Sequence, residues 1–254
     1  MEKNYVEVDG TVLVNLRDDT LSSASQIAEG VTAHLRTGAK VTGTGSNINP
    51  LSGKIAVFDG DSICYGAGST GGYPAIIATE TGMTVQNLGV SGGTITPVTG
   101  TPHCIATSIL NGNTAADYVI LEGGGNDADQ NVTLGQITSG FDSVLDPDTF
   151  AGAFELMIRN AYSRYPTAKI GYIFIHKCIA NFDSRTSNSY YNVAKAACEK
   201  WGVPYCDLNT HTPPIAYLAD LRVPYTYDSD GIHPNQAGYE LFYVPKITAW
   251  LKTL

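Results

Sequence analysis

The chain has 254 residues, 43% hydrophobic and 15% charged, which is a globular balance and excludes long disordered stretches. Its formal net charge of -9 repels a phosphate backbone or an anionic membrane surface, so nucleic acid is not an expected partner. No apolar run reaches the ~20 residues of a membrane span, and the start MEKNYVEVDG lacks the basic-then-apolar plan of a signal peptide, so compartment is left open.

The first fifty residues read as a small separate module. DDTLSSASQIAEG predicts a short helix capped by Ser22 or Ser23, and VTAHLRTGAKVTGTG predicts a hairpin turning at Thr37-Gly38. A glycine- and serine-rich joint over 43–53 precedes the larger part, so the division expected is 1–50 and 51–254. From Lys54 onward apolar runs alternate with amphipathic stretches. The predicted strands are 54–58, 84–90, 118–123, 169–175 and 204–208; the clearest helices are 150–164, 187–201 and 236–252, the last bent or interrupted at Pro245. The pattern predicts one doubly wound α/β sheet of five parallel strands, with chemistry just beyond the carboxyl ends of the strands.

Polar residues gather at those ends. Ser62 follows the first strand, behind a Gly60 read as allowing a sharp bend; Ser91 to Thr94 follow the second and Glu122 to Asp127 the third. The other dense cluster is DSDGIHPNQAG at 228–238. A serine hydrolase requires a nucleophile, a base, a carboxylate that orients the base, and donors for the oxyanion. Ser62 is the candidate nucleophile, and His233 the base, because Asp230 lies three residues before it. The Ser62 and Gly92 N–H groups and the Asn126 amide are the candidate oxyanion donors. Asp61 is read as a turn residue that bonds backbone.

Other readings are weaker. Ser91 sits in G-V-S-G-G, but TITPVTGTP after it is a poor helix start for a nucleophile elbow. His176 is read as structural rather than site-lining, His103 and His211 as surface or helix-start residues, and His34 as part of the amino-terminal module. Glu122, Asp127 and Asp129 lack the ligand spacing of a divalent site, and no metal or cofactor is expected. Tyr190, Tyr191, Tyr225 and Tyr227 are candidates for stacking on sugar or for packing. Five scattered cysteines without C-x-x-C spacing predict buried thiols, neither disulfides nor a zinc site.

GDS at 60–62, the glycine of VSGGT at 92, GGND at 124–127 and DGIHP at 230–234 together resemble the four blocks of the SGNH (GDSL) hydrolase family, in its order, across roughly residues 54–250. The first block departs slightly, reading FDGDSIC. The resemblance implies a flavodoxin-like three-layer fold and hydrolysis of esters through an acyl-serine, with Ser62, Asp230 and His233 catalytic and Ser62, Gly92 and Asn126 at the oxyanion. The family spans several acyl donors. A surface of low charge, rich in tyrosine and glycine and without a long apolar flap, favours short acyl groups such as acetyl on a polysaccharide over a lipase or thioesterase substrate; a glycan-binding module that has lost hydrolysis is the other class. AEGVTAHLRTGAKVTGTG also resembles short modules of phage tail proteins, which implies attachment to a particle or homo-oligomerisation; the same stretch reads equally as a plain hairpin.

Overall fold

The computed structural model describes residues 5–8, 11–15, 32–35, 39–42, 49–178 and 189–254. It divides into two units, Met1–Pro50 and Leu51–Leu254.

In the first unit β1 (Tyr5–Val8) pairs antiparallel with β2 (Thr11–Asn15), and β3 (Thr32–His34) with β4 (Lys40–Thr42). The second pair is the hairpin expected from VTAHLRTGAKVT, although Thr37 and Gly38 themselves, like the helix expected at Ser22 or Ser23, lie outside the described residues. The first pair was not read from the sequence. Its signal is present: Asp9-Gly10 between alternating apolar runs is a strong hairpin pattern.

The second unit is built on five parallel strands, β5 (Ile55–Asp59), β6 (Thr84–Asn87), β7 (Tyr118–Glu122), β8 (Lys169–Phe174) and β9 (Tyr205–Asp207), in the order β6-β5-β7-β8-β9. This is the flavodoxin-like order, a three-layer α/β/α sandwich. Both faces of the sheet are covered, so β7 is buried at every position and reads as an apolar run, Tyr118 to Leu121, that ends on a buried Glu122. Alternate residues nevertheless serve different layers. Val57, Val119, Leu121, Tyr172 and Phe174 pack with α3 (Ile105–Ser108), α5 (Phe150–Arg164) and α6 (Ser189–Trp201). Ala56, Phe58, Tyr118, Ile120 and Ile173 pack instead with α1 (Ser62–Tyr65), α2 (Gly72–Thr81) and the carboxyl-terminal stretch.

Strand ends differ from expectation by a residue or so, except β6, which stops three residues early. Beyond Asn87 two backbone bonds still reach the β5 side, Leu88 N to the Phe58 carbonyl and Val90 N to the Gly60 carbonyl, while the Asn87 side chain takes Gly89 N and the Cys64 carbonyl and ends the regular strand. Helix α5 matches its expected bounds, capped by the Thr149 hydroxyl, which accepts the Gly152 N–H. The last helix is three segments: Gln236–Gly238, a π-helical turn Tyr239–Tyr243, and Val244–Leu251. Pro245 sits in the first turn of the last segment. It has no N–H for the turn before it, and the chain widens there rather than bending within the final segment. The joint expected over 43–53 belongs in part to the core, because Leu51 is fully buried. Four of the cysteines are buried and Cys104 is partly so, all as free thiols; burial pushes the Cys206 thiol up to about 12. No helix among the described residues is long and apolar enough to cross a membrane.

Candidate active site

Strands β5 and β7 are neighbours, with Asp59 in register with Leu121. Adjacent parallel strands run about 4.8 Å apart, so the turns that follow them open side by side at one edge of the sheet. Ser62 begins α1 immediately after β5, and Asn126 lies in α4 (Gly125–Asp129) immediately after β7.

Asp61 caps α1: its Oδ1 accepts the Ile63 N–H at 2.9 Å. Ser62 is therefore held at the first helical position, where a backbone N–H has no intrahelical acceptor. Gly60 corrects the sequence reading. Its φ is not in the left-handed region; what it supplies is room, since a Cβ there would stand 2.6 Å from Glu122 Oε2 and 2.7 Å from Cys64 Cβ. Bending is not the reason for this glycine.

The imidazole comes from the far end of the chain. A bridge between Thr226 and Pro234, with Tyr227 N donating to the His233 carbonyl at 2.8 Å, closes the 226–234 loop. Within it Asp228 and Ser229 hold left-handed φ values of 46° and 59°, a backbone cost commonly found where a loop presents a functional group. His233 Nδ1 and Asp230 Oδ2 are 2.7 Å apart, while Asp230 Oδ1 accepts the N–H groups of Ile232 at 2.8 Å and His233 at 3.0 Å. His233 Nε2 is 2.8 Å from Ser62 Oγ, across 171 positions of sequence. Tyr239, just after the loop, donates its hydroxyl to the Ile63 carbonyl at 3.0 Å and fastens the carboxyl-terminal stretch to α1. With Nδ1–H given to Asp230, Nε2 is left as an acceptor and can take the proton of the hydroxyl.

Asn126 Nδ2 donates to the Gly93 carbonyl at 2.8 Å, which leaves its second amide hydrogen available. A cleft of about 160 Å³ is lined by Ser62, His233, Gly125, Asn126, Ile175 and Ile232, among others. Gly92 has φ +81° beside Gly93, but stands outside that lining. Gly125 and Ile232 fall inside the GGND and DGIHP blocks and Cys178 among the expected buried thiols, but none of them, nor Ile175, was given a place in the cleft; the only signal for that is position, since each follows a strand end or precedes His233.

The remaining expectations divide. Ser91 is exposed and the next helix starts only at Ile105, so it sits on no elbow. His176 is fully buried and bonded to the Tyr243 hydroxyl at 2.6 Å through Nδ1, and burial lowers its pKa to about 3. His103 is not a surface residue: its Nε2 lies 2.8 Å from the buried carboxylate of Asp59, which also accepts the Ser108 hydroxyl. His211 is a surface residue, as expected, and closes a helix rather than starting one, its Nδ1 2.9 Å from the Asp207 carbonyl. Asp127 accepts the N–H groups of Ile95 and Thr96, both at 2.9 Å, and so fixes the loop after β6. Glu122 accepts the Cys64 N–H at 3.1 Å, and Asp129 reaches the cleft. Tyr190 and Tyr191 are buried and Tyr225 packs on Phe242, so these three pack; Tyr227 is about half exposed (49%) beside the His233 loop.

Comparison with known proteins agrees with this construction. The model of the GDSL-like Lipase/Acylhydrolase family matches residues 58–241. No curated protein matches the chain. Similar solved structures include a protein from Lactobacillus plantarum, 24% identical over 80% of this chain and 98% of that one, with a TM-score of 0.66. A lipase/acylhydrolase from Enterococcus faecalis is 21% identical over 79% of this chain and 96% of that one, with a TM-score of 0.52. Phospholipase A1 from Streptomyces albidoflavus is 17% identical over 78% and 99% of the two chains, with a TM-score of 0.53. A family match spanning most of the chain, on a sheet that brings a serine, a histidine and an aspartate into one hydrogen-bonded row, makes this protein a member of the GDSL-like lipase/acylhydrolase family, an SGNH-type ester hydrolase.

Proposed function

We propose that the protein cleaves short acyl esters, acetyl groups on carbohydrate above all, through an acyl-Ser62 intermediate. The observation that carries this reading is the row Asp230–His233–Ser62, with separations of 2.7 and 2.8 Å, opening on a cleft of about 160 Å³. Pockets that enclose drug-sized ligands run from about 300 to 1,000 Å³, so this space suits a small acyl group better than a long chain.

Ser62 Oγ attacks the ester carbonyl as His233 Nε2 takes its proton, and the Asp230 carboxylate stabilises the imidazolium. The Ser62 and Gly92 N–H groups and the Asn126 amide bear the oxyanion. Collapse expels the alcohol, which receives the proton from His233. A water deprotonated by the same imidazole then attacks the acyl-serine, and its collapse returns the proton to Ser62 and releases the acid. The exposed ring of Tyr227, beside the loop that carries His233, offers a face on which a sugar alcohol can stack.

The purified protein is expected to turn over p-nitrophenyl acetate faster than p-nitrophenyl palmitate. Faster turnover of the palmitate ester rejects the short-acyl assignment.

The Met1–Pro50 unit we assign to attachment or self-association, supported by its separate hairpins and by its sequence resemblance to modules of phage tail proteins. Light scattering on the full chain should then give a mass above the 27.0 kDa of one copy. A monomer at all concentrations removes self-association.

A further inference from the structure

Glu122 ends β7 with no solvent exposure, and its Oε2 accepts the N–H of Cys64, two residues beyond the nucleophile. Its carboxyl interacts with that of Asp61, which is itself buried and caps the same short helix through Ile63 N. Neither group takes part in a salt bridge among the described residues. An ionised Glu122 would need donors for both oxygens, and among the described residues no donor meets Oε1, although the Asp61 carboxyl, itself an acceptor, lies beside it. Two carboxylates buried side by side, Asp61 at 3% and Glu122 at 0% exposure, do not both carry charge readily.

Asp61 is the one to stay ionised, because it accepts the Ile63 N–H and lines the cleft, whereas Glu122 lies behind it and outside that lining. We propose that Glu122 is a neutral carboxylic acid that positions the nucleophile: its hydroxyl donates to Asp61 while Oε2 holds Cys64 N–H, so both backbone anchors of the Ser62 turn hang from one side chain. Gly60 belongs to the same device, since any Cβ there would displace Glu122 Oε2. The direction of the pKa shifts agrees: burial, then the charge of Asp61, drives Glu122 well above the usual carboxylate range, and burial raises Asp61 to about 6. Cys64, Tyr73, Tyr172, Tyr239 and Tyr243 also face the pair, but burial raises each of them, so they stay neutral; Asp127 and His233 are the remaining titratable neighbours.

The role rests on the esterase reading, and the test separates the two. Glutamine reproduces the neutral acid, one donor and one acceptor, whereas methionine keeps the volume and removes both. Glu122→Gln is expected to keep kcat and KM close to wild type and to lose the alkaline fall in kcat that ionisation of Glu122 causes. Glu122→Met is expected to lower kcat about 100-fold at unchanged KM, the cost of a misplaced nucleophile. The infrared difference spectrum of wild type minus Glu122→Gln, both at neutral pH, should contain a protonated-carboxyl band that belongs to Glu122. Equal loss in both variants, full kcat in Glu122→Met, or a difference spectrum without that band overturns the assignment. If Glu122→Met does not fold, the glutamine profile and the infrared band decide. A wild-type protein that neither cleaves esters nor reacts with a fluorophosphonate defeats the esterase reading instead, and the infrared test still stands.

Discussion

Replacing Ser62 by alanine is expected to lower kcat by about a million-fold and to abolish covalent labelling by a fluorophosphonate probe. The size of the effect follows from the arrangement. Only Ser62 presents an oxygen within 2.8 Å of His233 Nε2, among the described residues, so no neighbouring hydroxyl can inherit the imidazole. Ser91 is exposed and Ser108 is spent on Asp59. The fold should tolerate the change, since Oγ is bonded to His233 and the α1 cap is made by Asp61. Undiminished labelling of Ser62→Ala would show that the probe finds another nucleophile, and the acyl-Ser62 intermediate would have to be abandoned.

Exchanging Asp230 for asparagine should cost about 10⁴ in kcat while leaving the melting temperature nearly unchanged. The two effects separate because the carboxylate has two tasks. Oδ1 receives the N–H groups of Ile232 and His233 and shapes the loop, a task an amide oxygen retains. Oδ2 receives Nδ1–H of His233, and an amide nitrogen in its place offers a hydrogen instead. The imidazole then adopts the other tautomer and turns an N–H, not a lone pair, toward Ser62. Steady-state kinetics together with thermal unfolding measure both halves. An asparagine variant within tenfold of wild type would mean that Asp230 organises the loop without orienting the base.

Long-range pairs also hold the walls of the site. Asp59, His103 and Ser108 join the end of β5 to α3 and the chain leading into it, and Asp127 ties α4 to the loop that contains Gly93. Since Gly93 in turn receives the Asn126 amide, the loops after β6 and β7 form one unit rather than two separate donors. His176 and Tyr243 likewise bond β8's following loop to the carboxyl-terminal stretch that fixes His233.

Properties written in near neighbours were legible in the amino-acid order itself. The apolar runs at Ile55–Phe58 and Tyr118–Leu121, the periodicity of Phe150–Arg164 and the three-residue step from Asp230 to His233 each depend on local geometry, so the sheet, its helices and the Asp230–His233 pair were legible in advance, whereas the approach of Ser62 to His233 across 171 positions was not. Tertiary structure alone decided what distant residues do to one another. Gly60 is small because Glu122, 62 positions away, fills the space; His103 looks like a surface residue until Asp59 meets it inside; and Pro245 marks a widened turn that only packing against Tyr73 and its neighbours locates. Periodicity specifies which face of an element is apolar, but not which polar group from another element will be brought against it, and that second choice set the surroundings of the nucleophile.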